Sequence, residues 1–136
     1  MKQEEDGQAE QTEKEDGINY FFDSYAIAEI IEGNPSYSKY ANEVATISIF
    51  NLAEVYLFCL RNYTSEADYI YNQYKEAVVE IGDEVLKEAV KLKKEQNKRE
   101  LSYADCIGYT YALRNGMKFL TGDKEFKDMK NVEFVK

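Results

Sequence analysis

Five short apolar runs, separated by stretches of helical character, constrain this chain more than any other feature. They are Ile18–Phe22, Val44–Ile47, Ala77–Ile81, Met117–Thr121 and Val132–Val135. Runs of four or five residues rich in β-branched and aromatic side chains read as buried strands. Between them lie segments with helical signals. Ser24–Glu32 is stopped by Gly33-Asn34-Pro35, and Ser36–Asn42 is a second short helix. Ile49–Arg61 is strongly apolar, and Ser65–Lys75 is tyrosine-rich. An amphipathic helix runs from Asp83 to about Lys98, and Ser102–Asn115 is closed by Asn115-Gly116. Strands joined by helices need right-handed crossovers, and these build a mostly parallel sheet covered on both faces. The expectation is one α/β domain over residues 18–136, with a central parallel sheet of about five strands flanked by helices.

Residues 1–17 stand apart. They hold seven acids against Lys2 and Lys14 and only one alanine after Met1. Such a segment has too little to bury to offset its ordering entropy, so it reads as a disordered acidic tail. It also carries more than half of the chain's net charge of −9. Cys59 and Cys106 sit inside apolar stretches without a C-x-x-C pattern, which suits reduced core thiols of a cytoplasmic protein. No leader peptide is visible and the longest apolar runs are too short to span a membrane, so no membrane association is expected.

The chain contains no histidine. That removes imidazole acid–base catalysis, histidine-activated nucleophiles and histidine-ligated zinc. Hydrolytic chemistry must then run on carboxylates, with hard, oxygen-seeking cations.

Four acids are candidates. Asp23 closes the first strand, and it also reads as the N-cap of the helix beginning at Ser24. Asp105 follows Ser102 by three residues, a capping-box spacing. Asp123 follows Thr121-Gly122 and could cap the turn Lys124–Lys127. Each of these has an ordinary structural explanation. Glu54 is harder to explain that way, because Asn51 and Glu54 are the only polar side chains between Ile49 and Leu60. A helix apolar nearly all round is expected to be buried, where an unpaired carboxylate is costly. Three residues apart, Asn51 and Glu54 share one face and suggest a polar slot. Asp23 and Asp123 fall just beyond the carboxyl ends of parallel strands, where open α/β sheets bind ligands. Carboxylates crowded at that rim call for divalent cations, Mg²⁺ or Mn²⁺.

The segments FFDSYAIAEI, ISIFNLAEVYL and LSYADCIGYTYALRNGMKFLTGDKEF resemble, in order and spacing, the successive motifs of PIN-domain nucleases, particularly the VapC-like toxin branch. The resemblance spans about residues 18–136. It implies a PIN-like fold and a metal-dependent ribonuclease whose catalytic and metal-binding acids are Asp23, Glu54, Asp105 and Asp123. Thr121 and Glu125 stand beside them as pocket-shaping candidates. It further implies an RNA substrate, homodimers and, in the toxin branch, a protein antitoxin. Divalent ions in such a cluster activate water near neutral pH without a histidine base. Products would then carry 5′-phosphate and 3′-hydroxyl ends.

The rest of the chain bears on partners. In the helix from Asp83, Val85, Leu86, Ala89 and Val90 read as the buried face. Lys87, Lys91, Lys94 and Lys98 form a stripe that either steers phosphates or pairs with Glu84, Glu88 and Glu95. Of the twelve tyrosines, Tyr37, Tyr40 and Tyr69 suggest a surface for an antitoxin. Ala104, Gly108 and Ala112 let their helix approach the sheet closely. Two other readings compete. A haloacid-dehalogenase-like phosphatase would need a second aspartate where this chain has Tyr25. A non-catalytic PIN-fold binding protein would not need all four acids.

Overall fold

The computed structural model describes residues 17–136. The expected tail therefore lies outside the described residues, apart from Gly17. The elements are β1 (Tyr20–Phe22), α1 (Ser24–Glu32), α2 (Ile49–Asn62), α3 (Ala67–Lys75), α4 (Asp83–Glu95), α5 (Tyr103–Arg114), β2 (Lys118–Thr121) and β3 (Val132–Phe134). The strands form a parallel sheet in the order β1-β2-β3, with Phe21 opposite Phe119 and Phe119 opposite Val132.

The sheet has three strands rather than five. The run at 44–47 does lie beside β1 in a sheet-like position, and the run at 77–81 lies beside Ile47 in turn. Phe22 N–H donates to the Thr46 carbonyl, Ile47 N–H to Ala77, and Val79 N–H to Ile47. Only one parallel bridge, Ile47 to Val78, results. The reason is length. Residues 38–43 are still turning after the 3₁₀ turn Pro35–Tyr37, and Ser48 already caps α2, its N–H donating to Asn51 Oδ1. The same crowding reduces the expected helix Ser36–Asn42 to that 3₁₀ turn and the bends after it. α4 ends at Glu95, short of Lys98.

Alternation along the strands divides the core between two faces. Tyr20, Phe22 and Leu120 pack with Ala26, Ile27, Leu52, Val55 and Cys59 under α1 and α2. Phe21 and Phe119 face the other way, onto Ala89, Ile107, Ala112 and Phe126. α5 lies close against this second face because of its small residues. A Cβ on Gly108 would stand 2.6 Å from the Phe21 ring and 3.1 Å from that of Phe119. Ala104 and Ala112 are buried on the same helix. Both cysteines are free and buried.

Three surface expectations are revised. Tyr37 and Tyr40 belong to the core, not to a docking face. Their rings are buried and their hydroxyls donate to the Val135 carbonyl and to Glu133. Of that trio only Tyr69 is exposed. α2 is not buried all round, since it exposes Ile49, Phe50, Leu57 and Leu60. On α4 the contact with α5 is made around Ala89, while Leu86 and Val90 face outward. No helix among the described residues is long and apolar enough to cross a membrane.

Candidate active site

Parallel strands point their carboxyl ends to one rim, and that rim holds a cleft of about 350 Å³. Asp23, Glu54, Asp105 and Asp123 all line it, together with Ser24, Tyr25, Ala28, Val55, Phe58 and Ser102. Residues up to 100 positions apart in the chain thus meet in one place. Each aspartate is set by the start of a helical segment. Asp23 caps α1, its Oδ1 accepting from Ser24 N–H at 2.9 Å. Asp105 closes a capping box with Ser102: its Oδ2 accepts from Ser102 N–H at 2.8 Å, and its own N–H donates to Ser102 Oγ at 3.0 Å. Asp123 caps the 3₁₀ turn Lys124–Phe126, accepting from Glu125 N–H at 3.0 Å. The capping reading of each aspartate is therefore correct, and the same three side chains also lie in the lining of one cleft. A cap fixes a carboxylate's backbone and first torsion, which aims it at the rim.

Glu54 reaches the cleft by another route. It lies in the second turn of α2 and is exposed, so the expectation of a carboxylate sealed in a dry helix is wrong. The polar slot beside it is real. Buried Asn51 donates from Nδ2 to Ser24 Oγ at 3.0 Å, and Ser24 Oγ donates to Glu54 Oε1 at 2.6 Å. Ser24 thus bridges α1 to α2 and orients Glu54. The sequence reading missed Ser24, although a hydroxyl directly after Asp23 is a usable signal. Thr121 has the matching role on the other side. It donates to Asp23 Oδ2 at 2.6 Å and accepts from Asp123 N–H at 3.0 Å. Glu125 does not join the cleft; its Oε1 accepts from Glu100 N–H instead.

None of the residues lining the cleft is basic. Asp23 is buried, and burial pushes its pKa up from 3.8 to about 8, with the charges of Asp105 and Asp123 adding to the rise. The bonds from Thr121 and Ser24 oppose this without overcoming it. Asp105 is also raised, first by burial and then by Glu54 and Asp123, against its bonds from Ser102. These groups are placed where their own ionisation is disfavoured, which is typical of a functional site.

A family model for the PIN domain matches residues 20–132, nearly all of the described chain. This chain belongs to the PIN-domain family. Several solved structures share the fold. Mycobacterium tuberculosis VapC20, a sarcin–ricin-loop-cleaving toxin, superposes with a TM-score of 0.72 at 17% identity, over 87% of this chain and 100% of that one. A toxin–antitoxin complex from Klebsiella pneumoniae gives 0.62 at 19% identity, over 85% and 96%. VapBC2 from Rickettsia felis, bound to a DNA fragment from its promoter, gives 0.64 at 15%, over 86% and 98%. No curated protein is significantly similar in sequence.

The donors of this PIN domain are all oxygens, which suits Mg²⁺ or Mn²⁺ and disfavours softer metals. Among the described residues, no group of three or more acidic or cysteine side chains is placed to hold a metal ion by itself. Mg²⁺ does not ask for one. It keeps several waters and takes one or two carboxylates plus substrate phosphate. The pKa of Asp23 is raised first by burial and then by the charges of Asp105 and Asp123, in a cleft with no basic lining residue. The residues fit a hard divalent ion.

Proposed function

We propose that this PIN domain is an endoribonuclease, dependent on Mg²⁺ or Mn²⁺, that hydrolyses RNA phosphodiesters at the cleft. The observation that carries the reading is the convergence of Asp23, Glu54, Asp105 and Asp123 on a cleft lined by no basic residue. When bound, the ion lowers the pKa of the attacking water and takes up charge on the phosphate. Asp23, Glu54 and Asp105 would hold the principal ion, directly or through its waters, and Asp123 would complete the cluster through water or a second ion. Ser24 and Thr121 keep the carboxylates of Glu54 and Asp23 pointed inward while their charges repel. Water attack leaves 5′-phosphate and 3′-hydroxyl ends. RNA as substrate is supported by the family match and by the fold shared with VapC20, a sarcin–ricin-loop-cleaving toxin, and a cytoplasmic location is part of the same proposal.

Cleavage of a labelled RNA panel by the purified chain tests this. We expect cutting with Mg²⁺ or Mn²⁺, none in EDTA, and 5′-phosphate ends. Asp23→Asn and Glu54→Gln should each slow cleavage by orders of magnitude. Cyclic-phosphate ends, or full activity in chelator, would overturn the proposal.

One structure with this fold is a toxin–antitoxin complex and another, VapBC2, is bound to a DNA fragment from its promoter; on that likeness we extend a protein antitoxin to this chain as its partner. Homodimers are also part of the reading. The buried positions of Tyr37 and Tyr40 move the docking face elsewhere. Ile49, Phe50, Leu57 and Leu60 of α2, with Leu86 and Val90 of α4, are among the exposed apolar side chains that remain for it, beside Tyr69 itself.

A further inference from the structure

We propose that Tyr103, backed by Lys93, is a stacking platform for an unpaired base of the RNA held in the cleft. This inference rests on the ribonuclease reading and narrows its substrate to single-stranded or looped RNA.

Three observations converge on Tyr103. It is the first residue of α5, between Ser102, which lines the cleft, and Asp105 two positions on, which also lines it. Tyr103 itself is not part of the cleft lining, so the platform stands at the margin of the cleft, beside Ser102. The residue is 59% exposed, whereas most tyrosines of this chain are buried or half-buried. Finally, a cation is held against the ring. Lys93 Nζ lies 5.1 Å from the ring centroid, and its donation to the Leu101 carbonyl at 2.6 Å fixes it there. No carboxylate among the described residues forms an ion pair with Lys93. Its charge is therefore available to a strand crossing the ring.

Aromatic rings beside a positive charge bind single strands in a sequence-tolerant way, because every base has a π face and every linkage a phosphate. A duplex keeps its bases stacked on one another and cannot use such a ring. The platform also answers an electrostatic difficulty. The cleft is acidic, and a polyanion must gain contacts elsewhere along its length. Lys87, Lys91, Lys94 and Lys98 are exposed on α4 and the turn after it, interleaved with Glu84, Glu88 and Glu95 but in no ion pair with a described carboxylate, so their ammonium groups are open to phosphate. On the opposite side of the acids, Tyr25 and Phe58 line the cleft. Their rings are more covered, and that of Tyr25 packs over Gly122. Tyr103 is the open one.

The test uses the full chain, a short labelled single-stranded RNA, and the same sequence as a duplex. Tyr103→Ala should raise KM for the single strand about tenfold, the scale of one lost base–aromatic stack, and leave kcat within twofold. Tyr103→Phe should behave as the parent, since the ring and not the hydroxyl does the stacking. Lys93→Met should give an intermediate loss that shrinks as salt rises. Tyr69→Ala removes an equally exposed tyrosine from α3, remote from the acids, and should change nothing. Replacing RNA bases one at a time by abasic residues should locate one position whose loss costs the parent protein but not Tyr103→Ala. Unchanged KM in Tyr103→Ala, or an equal rise for single strand and duplex, would overturn the platform while leaving the ribonuclease intact. A parent protein that cuts neither form would overturn the ribonuclease reading itself.

Discussion

Replacing Asp105 by asparagine separates the charge of the acidic cluster from its architecture. α2 already shows that asparagine can close a capping box: Asn51 Oδ1 accepts from Ser48 N–H just as Asp105 Oδ2 accepts from Ser102 N–H. The start of α5 should therefore survive in Asp105→Asn, and what is lost is negative charge. In the parent protein Asp23 has a folded-state pKa of about 8 against 3.8 unfolded. Between those values the native state binds a proton that the unfolded state does not. Without metal, the associated stability is complete below about pH 4, falls as pH rises, and is gone above about pH 8. The slope is about 1.4 kcal/mol per pH unit for one proton, giving a total on the order of 5 kcal/mol. That is a large part of the roughly 5–15 kcal/mol of a typical domain. Asp105 supplies the leading charge contribution to the Asp23 shift and itself has a raised pKa. Asp105→Asn should thus be more stable in EDTA near pH 8 by on the order of 1–2 kcal/mol, or about 3–8 °C in Tm. The gain should fade toward pH 4, and the upward Tm shift given by millimolar Mg²⁺ should shrink because metal affinity falls. Urea or thermal unfolding at several pH values, with and without Mg²⁺, measures all of this. A lower Tm in EDTA with an intact Mg²⁺ shift would return Asp105 to a purely capping role and refute the electrostatic argument.

Three further outcomes are expected. Ser24→Ala should break the Asn51–Ser24–Glu54 chain and weaken Mg²⁺ affinity about 10–100-fold, read by calorimetric titration, because outer partners orient ligands. Thr121→Val should raise the Asp23 pKa further by removing a bond that lowers it; carboxyl carbon NMR against pH would show a higher midpoint. Gly108→Val should destabilise by about 1–3 kcal/mol or more in urea, since the new side chain meets two packed rings rather than a flexible tip.

Much of this was legible in the sequence, for definable reasons. Asp23 and Asp123 were found because strand ends are marked by apolar runs, and those runs fix the rim. The capping spacing of Asp105 was the rival to its site role, and the structure shows the cap while placing the same carboxylate in the cleft lining. Glu54 was singled out on a mistaken premise. Apolar residues surround it in sequence, but a helix buries one side only, and Ile49, Phe50, Leu57 and Leu60 are left outside. The same limit hid the outward direction of Leu86 and Val90. Tyr37 and Tyr40 were misread because nothing local announces that their hydroxyls find partners at Val135 and Glu133, almost a hundred residues away. The two missing strands have the right composition. What failed was length, set by the turn before and the cap after, and a count of apolar residues does not measure that.

The parallel run of β3 has a practical side. Its carboxyl end leaves the sheet at the same rim as Asp23 and Asp123, and Val135 N–H donates to the Thr121 carbonyl. Val135 in turn receives the Tyr37 hydroxyl and lies against Gly122. Ile18, by contrast, leads into β1 from the far end of the sheet. A purification tag or fluorescent reporter joined after Lys136 would therefore hang over the cleft mouth, whereas one joined before β1 would start from the opposite pole. Assays of a carboxyl-terminal fusion would risk mistaking a blocked door for a dead enzyme.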